Sequence, residues 1–313
     1  MNWRIKAILQ KVLSFSNIGN RINHLAVIYK KDYYKHVLQY QFYECIRKFK
    51  LSKIDLTNNK LNALEIGTGY SIVAPITLYL LGFDKIITVD ISNDISLKSF
   101  KKQILHLYSK KQLNVLLKES IYTEIELINK IDKIISFNSL TEIFSFCNII
   151  YIPNYNFDDI DTLGYNYDYI YSQVVFEHIQ PKILVELFSK IKKWLKPKGQ
   201  SVHTINFIDH FANPGFFQDK SISEFNFLQY SDNYWKSWTN NDIAYTNRLS
   251  YLFYVNLCTT NNFNDINFIG ENYRIGMDFS TKLIHNDVLN KYKNLKNLEK
   301  LIKYQRGTLV FQN

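Results

Sequence analysis

Several things are scarce in this 313-residue sequence, and each scarcity excludes a class of protein. There are three cysteines, Cys45, Cys147 and Cys258, odd in number, far apart and in no metal-ligand spacing. Neither a disulfide framework nor a zinc module is expected, and buried positions in a reducing, cytoplasmic compartment suit them. No apolar run reaches the ~20 residues that a bilayer-spanning helix needs; the longest, Ile72 to Phe83, contains Pro75. The opening stretch MNWRIKAILQKVLSF scatters its basic residues and lacks both an uninterrupted apolar core and a small-residue cleavage site, so no secretory signal is expected. Acidic residues are scarce at one end. Residues 1–60 hold twelve Lys and Arg against three acids, a charge of +9, so almost all of the net +10 precedes residue 61.

What is present is enough apolar material, 46% of residues, to bury a large core. Residues 1–57 read as a basic, helical N-terminal cap. Within it Ile5, Ile8, Leu9, Val12 and Leu13 fall at helical spacing. Such a helix either packs one face on the core and solvates the rest, or lies through residues 1–20 on an anionic membrane surface. Tyr34, Val37, Leu38, Phe42, Cys45, Ile46 and Phe49 predict a second amphipathic helix over 31–50, covering an edge of the domain that occupies 58–313.

The stretch from Leu64 to Asp90, LEIGTGYSIVAPITLYLLGFDKIITVD, predicts a strand, a glycine turn, a helix and a second strand. Glycines at 67 and 69 let the chain turn sharply off a strand end and let a ligand approach the backbone. Asp90 falls where a carboxylate accepts both hydroxyls of a ribose. A helical insertion of two or three helices is expected over about 95–147, then strands at 148–152 and 167–173, a helix opened by Pro181, and a strand at 200–206. This alternation predicts a doubly wound parallel sheet. The aromatic segment 207–262 reads as a cover over the substrate, with a helix over 247–259. Closing strands are expected at 266–269 and 308–311, with a Lys-rich helix over 288–304 between them.

Taken in order, four landmarks resemble those of the class I S-adenosylmethionine-dependent methyltransferases, small-molecule branch. They are Glu65-Ile66-Gly67-Thr68-Gly69, Asp90, the YDYIYSQVVFEHI run from Tyr167 to Ile179, and Leu195-Lys196-Pro197-Lys198-Gly199, together covering about residues 60–206. His203 to Phe211, Asn226 to Leu228 and Asn247 to Leu249 are similar to a bacterial subgroup associated with surface-polysaccharide and metabolite modification. The resemblance implies a Rossmann-like, mostly parallel α/β sheet with a closing antiparallel strand, and S-adenosylmethionine as cofactor. It implies methyl transfer to a small-molecule or glycan acceptor, at oxygen rather than nitrogen. It sets the methionine part of the cofactor against Gly67, Thr68 and Gly69, with Glu65 near the amino-acid moiety or bracing the loop. Asp90, followed by Ile91, takes the ribose. Asn156, with Asp158 and Asp159 close behind, stands near adenine, and Gln173 and Val174 end the fourth strand.

A nicotinamide dinucleotide would require glycine where Ile72 stands, and no phosphate-binding loop ending in Gly-Lys-Ser/Thr occurs. An Asn/Asp-Pro-Pro-aromatic run after the fourth strand, expected for amino-methylation of DNA, is replaced by Ser172-Gln173-Val174-Val175, so nucleic acid is not the expected acceptor. For a hydroxyl acceptor a general base near pH 7 is useful, and His178, Asp209 and His210 are the candidates at the ligand-bearing edge. The same three residues have no helical or hairpin metal spacing, so no metal is expected. His203 reads as a hydrogen-bonded core histidine. Arg248 and Tyr230 are candidate acceptor contacts; Arg248 either grips a phosphate or carboxylate or braces its segment, and the aromatics either stack on a sugar or form core. The rival reading is a non-catalytic scaffold docking through its basic N-terminus.

Overall fold

Seven strands form one sheet: β1 (Asn62–Ile66), β2 (Lys85–Val89), β3 (Ile149–Ile152), β4 (Tyr167–Gln173), β5 (Leu195–Asn206), β6 (Asn264–Glu271) and β7 (Arg306–Gln312). They come from a computed structural model describing residues 1–14, 33–57, 60–157, 163–212, 218–241 and 245–313. The order is β3-β2-β1-β4-β5-β7-β6. Strands β1 to β5 run parallel, and β7 lies antiparallel to both β5 and β6. Successive strands step outward in one direction from β1 to β3 and in the other from β4 to β5. The carboxyl ends of β1 and β4 therefore flank the crevice where such sheets take ligands. This is the doubly wound, Rossmann-like sheet with a closing antiparallel strand that the sequence predicts.

Period-two alternation sorts side chains between the two faces. Ala63, Ile86, Tyr169 and Tyr171 join one core with Phe42, Cys45, Phe49 and Ile131, while Leu64, Ile87 and Ile170 join the other with Phe188 and Tyr254. Between β2 and β3 the chain makes four α-helices rather than two or three: Leu97–Ile104, Lys110–Leu117, Glu124–Ser136 and Leu140–Phe146. Each starts where a hydroxyl caps backbone N–H groups, at Ser96, Ser109, Thr123 and Ser139, and Thr123 forms a reciprocal box with Glu126. The caps divide what apolar spacing alone leaves joined.

Three other expectations are corrected. The helix over 288–304 is one short turn, Asn286–Leu289, followed by tight turns at Asn290–Tyr292 and Leu298–Ile302. The Asn297 side chain accepts the Glu299 N–H, a local bond that competes with continued helix. The helix expected from 247 runs Tyr251–Thr260, because Arg248 has φ +54°. The helical stretch beginning at Tyr33 crosses the sheet instead of following an edge. From its last part, Glu44–Ser52, Arg47 donates to Thr308 of β7 at 2.7 Å and Lys48 to the Ser172 carbonyl of β4 at 3.0 Å.

The first helix, Trp3–Ser14, packs through Trp3 and Ala7, both buried. The Trp3 ring stands 5.5–5.6 Å from those of Phe211, Tyr230, Trp235 and Trp238. Its backbone N–H donates to Asp219 at 2.8 Å. The aromatic segment thus forms a third small core with this helix. Ile5, Ile8, Leu9 and Val12 lie off the contact, 50–62% exposed. No helix among the described residues is long and apolar enough to cross a membrane.

Candidate active site

Strand β1 ends in a turn that its glycines make possible. Gly67 and Gly69 have φ +87° and +65°. The N–H groups of Gly67 and Thr68 both donate to the Val89 carbonyl, at 2.8 and 3.2 Å, folding the turn over the end of β2. A Cβ on Gly67 would fall far inside contact with Val175 Cγ2, whereas one on Gly69 would meet nothing within 4 Å. The first glycine is needed for packing, and the second leaves open space beside bare backbone, as a ligand lying along the main chain requires. Asp90, at the end of β2, is nine-tenths buried; one of its carboxylate oxygens accepts Gly69 N–H at 2.7 Å and the other accepts from Ser92 N–H and Oγ–H, each at 2.9 Å. Beside it Ile91 is 69% exposed, an apolar side chain standing at a strand end. The Tyr155 N–H bonds the Asp90 carbonyl at 2.8 Å, which brings exposed Asn156 to the same edge. Asp158 and Asp159 lie outside the described residues.

Two of the predicted cofactor contacts point inward. Thr68 is fully buried with its hydroxyl 2.5 Å from that of Thr88, so only its backbone faces the crevice. Glu65 accepts the Thr88 hydroxyl at 2.6 Å, and burial pushes its carboxyl up to about 7. Of its two expected roles it has the geometry of the brace. On the opposite lip, Gln173 ends β4 and its Oε1 accepts from Lys48 Nζ at 2.7 Å. Val174, next in the chain, holds φ +57°, a strained value for a β-branched residue, and its N–H is tied to the Thr204 carbonyl at 2.8 Å.

Beyond this strained turn the chain presents Glu177 and His178, and the segment after β5 presents His210. One ligand-capable atom from each of the three lies within 4.8 Å of those of the other two. The histidine rings are 5.0 Å apart and inclined at 64°. His178 Nδ1 is 2.9 Å from the Tyr245 carbonyl, which can only accept, so that nitrogen carries the hydrogen and Nε2 keeps a lone pair. His210 Nε2 and Glu177 Oε2 are buried and without a hydrogen-bond partner among the described residues. Crowding by protein lowers the pKa of both imidazoles, although His178 keeps an exposed edge, and takes His210 to about 3 with help from the neighbouring His178 and Lys6; burial raises the Glu177 carboxyl to about 8. Both rings are therefore neutral near pH 7, and the value near 3 makes His210 the weaker base of the two.

Asp209 does not join them. Its oxygens accept Phe211 N–H at 2.8 Å and the Asn226 amide at 3.0 Å, so this carboxylate, fully buried, holds a turn. Arg248 is likewise corrected as an acceptor contact. Its buried guanidinium donates to the Phe227 and Tyr230 carbonyls, both at 2.7 Å, and to Asp232. It braces the aromatic segment. Tyr230 stacks on Trp235 at 5.8 Å with its ring nearly parallel and faces the third core. His203 is the predicted core histidine, fully buried, with Ser172 Oγ at 2.8 Å and Ser201 Oγ at 2.7 Å.

Two residues at the site escaped sequence reasoning. Glu177 was hidden behind its neighbour His178, although a Glu-His pair directly after a strand is a visible signal. Lys48 is almost wholly buried with its ammonium 5.0 Å over the Tyr171 ring, and burial lowers it to about 8. Its place three residues after Cys45, on the apolar side of the helix, was the available clue.

Fold and site together define a Rossmann-like α/β protein with a crevice at the carboxyl ends of β1 and β4, lined by the glycine turn and Asp90, and an imidazole pair on the adjoining β4–β5 lip. No protein-family model and no curated protein matches the sequence. Among solved structures the chain is similar to the plantazolicin methyltransferase BpumL in complex with SAH, at 12% identity and TM-score 0.47, over 99% of this chain and 96% of that one. It is also similar to a SAM-dependent methyltransferase from Archaeoglobus fulgidus, at 14% identity and TM-score 0.41, over 90% and 100% of the two chains. For phosphoethanolamine N-methyltransferase 2 of Haemonchus contortus, with phosphomonomethylethanolamine and S-adenosylhomocysteine, identity is 13% and TM-score 0.45; 93% of this chain spans only 60% of that one. These are likenesses of fold.

Proposed function

We propose that the protein transfers a methyl group from S-adenosylmethionine to a small-molecule or glycan acceptor, at oxygen. The observation that carries the reading is the close approach of Gly67 to Val175, which sets the glycine turn against the loop bearing Glu177 and His178. Gly69, with open space where a Cβ would stand, and Asp90, already oriented by the Gly69 N–H, suit the methionine and ribose parts of that cofactor. Ile91, Asn156, Gln173 and Val174 complete the expected cofactor edge.

When bound, the cofactor supplies an electrophilic methyl on sulfur. The protein's part is chiefly alignment, an effect that can be worth roughly 7–11 kcal/mol. His178 and His210 stand where an acceptor hydroxyl loses its proton. Segment 207–262 covers the acceptor, and residues 1–57 form the cap. The three buried, free cysteines accord with a cytoplasmic setting.

The test is a calorimetric titration with S-adenosylhomocysteine. The wild-type protein should bind it, and Asp90→Ala should weaken binding by at least about a hundredfold, roughly 2.7 kcal/mol. Absence of binding to the wild type would reject the enzyme in favour of a non-catalytic scaffold.

A second reading concerns the first helix. The half-exposed Ile5, Ile8, Leu9 and Val12 beside Lys11 favour peripheral contact with an anionic membrane; residues 15–20 of the proposed contact lie outside the described residues. Flotation with anionic vesicles should fall in a variant lacking residues 1–14, and equal flotation rejects this reading.

A further inference from the structure

Glu177, His178 and His210 converge although 31 residues separate the dipeptide from the second histidine, a spacing with no visible metal signature. What distinguishes the cluster is an excess of acceptors. His178 donates its Nδ1–H to the Tyr245 carbonyl, the arrangement in which a ligating histidine is usually held with the other nitrogen free to bind. His210 Nε2, Glu177 Oε2 and Asn206 Oδ1 are all buried and without a hydrogen-bond partner among the described residues. Glu177 is anchored from the other side, since its Oε1 accepts the Asn206 N–H at 3.3 Å. The nearby cation, Lys6, donates to the His210 carbonyl, at 3.4 Å, and not to an imidazole nitrogen.

The unpartnered His210 Nε2 and Glu177 Oε2, with the remaining nitrogen of His178, are satisfied together by a positive ion, the Glu177 carboxyl giving up its proton as the ion binds. We propose that Glu177, His178 and His210 form a divalent transition-metal site at the mouth of the crevice. Two imidazoles and one carboxylate suit Zn²⁺, Mn²⁺ or Fe²⁺ and disfavour Mg²⁺ and Ca²⁺, which take oxygen ligands. Ligand atoms at about 2.0–2.2 Å from one ion stand no more than about 4.4 Å apart. The observed spread, within 4.8 Å, is only a few tenths of an ångström wider than that limit. Three protein ligands leave a coordination position open, as in catalytic sites.

The role of the ion rests on the methyl-transfer reading and replaces the imidazoles as its proton acceptors: with their nitrogens on the ion they act as ligands. An acceptor hydroxyl oxygen placed against the ion becomes more acidic, as a zinc-bound water falls from about 15.7 to about 7. Its O–H bond breaks with the proton released to solvent. The oxygen lone pair then forms the C–O bond as the methyl–sulfur bond breaks, and that electron pair remains on sulfur.

The test uses the full chain, stripped with chelator, dialysed, and titrated calorimetrically first with ZnCl₂ or MnCl₂ and separately with S-adenosylhomocysteine. Wild type should bind one equivalent of metal at micromolar or lower Kd. His210→Ala and Glu177→Gln should each weaken this at least tenfold, while S-adenosylhomocysteine affinity changes less than threefold. His178→Gln, at an exposed position, gives the same answer if a buried variant does not fold. Stoichiometric metal binding that survives in these variants, or none in wild type, overturns the proposal. A Glu177→Gln variant more stable than wild type with no metal bound by either would show instead that the carboxyl is protonated and donates locally. Nucleoside binding without metal binding overturns the site and leaves methyl transfer standing; metal binding without nucleoside binding keeps the site and removes its catalytic role.

Discussion

Alanine at position 67 should disturb both lips of the crevice. With φ +87°, the position disfavours an L residue by roughly 1–2 kcal/mol. The new Cβ would also overlap Val175 Cγ2 and stand 3.2 Å from Cγ1. Val175 is β-branched and so stiff at χ1, and it follows Val174, already held at φ +57°, so it has little room to swing aside. Relieving such overpacking costs about 1–3 kcal/mol. Together the two effects predict that Gly67→Ala loses about 2–5 kcal/mol in urea unfolding. The same displacement moves the loop carrying Glu177 and His178 and should weaken S-adenosylhomocysteine binding about tenfold or more, near 1.4 kcal/mol. Val175→Ala removes both Cγ atoms and leaves the nearest remaining atom, Val175 Cβ, at an ordinary 3.4 Å. The double variant should recover the overpacking share but not the backbone share. A double-mutant cycle that is additive to within about 0.5 kcal/mol would refute the close approach on which the site is built.

Three further outcomes are expected. Lys48→Met removes the donor to the Ser172 carbonyl and Gln173 Oε1 and should cost about 1–3 kcal/mol in chemical denaturation; a variant as stable as wild type would show that the buried amine is dispensable. Burial holds His203 well below the ordinary imidazole range, so the unfolded chain takes up a proton near pH 6.5 that the folded protein refuses. Its contribution to stability is complete above about pH 7 and is lost as pH falls, by up to about 1.4 kcal/mol per pH unit for one proton. His203→Phe should flatten the stability profile between about pH 6 and pH 5 by that amount, and an unchanged slope would contradict the assignment. Trp3→Ala removes a side chain that meets four aromatic rings. It should release the first helix, read as faster amide exchange over Trp3–Ser14, with about 3–5 kcal/mol of packing lost; unchanged exchange would refute the contact.

Sequence alone determined the features that depend on neighbours within a few residues. Strand β4 matches its predicted limits because apolar periodicity is local, and Gly67, Gly69 and Asp90 took their places because a turn off a strand end is made by the residues in it. The tertiary structure decided which polar groups are free. Asp209 and Arg248 look available in the chain, yet the first is taken by Asn226 and the second by Phe227, Tyr230 and Asp232. Trp3 finds its partner Asp219 across 216 residues, and Lys48 finds Ser172 across 124. Glu177 and His178 meet His210 only because parallel pairing of β4 and β5 brings two carboxyl ends together. A residue's type and spacing state what it can bind; packing decides whether another part of the protein already satisfies it.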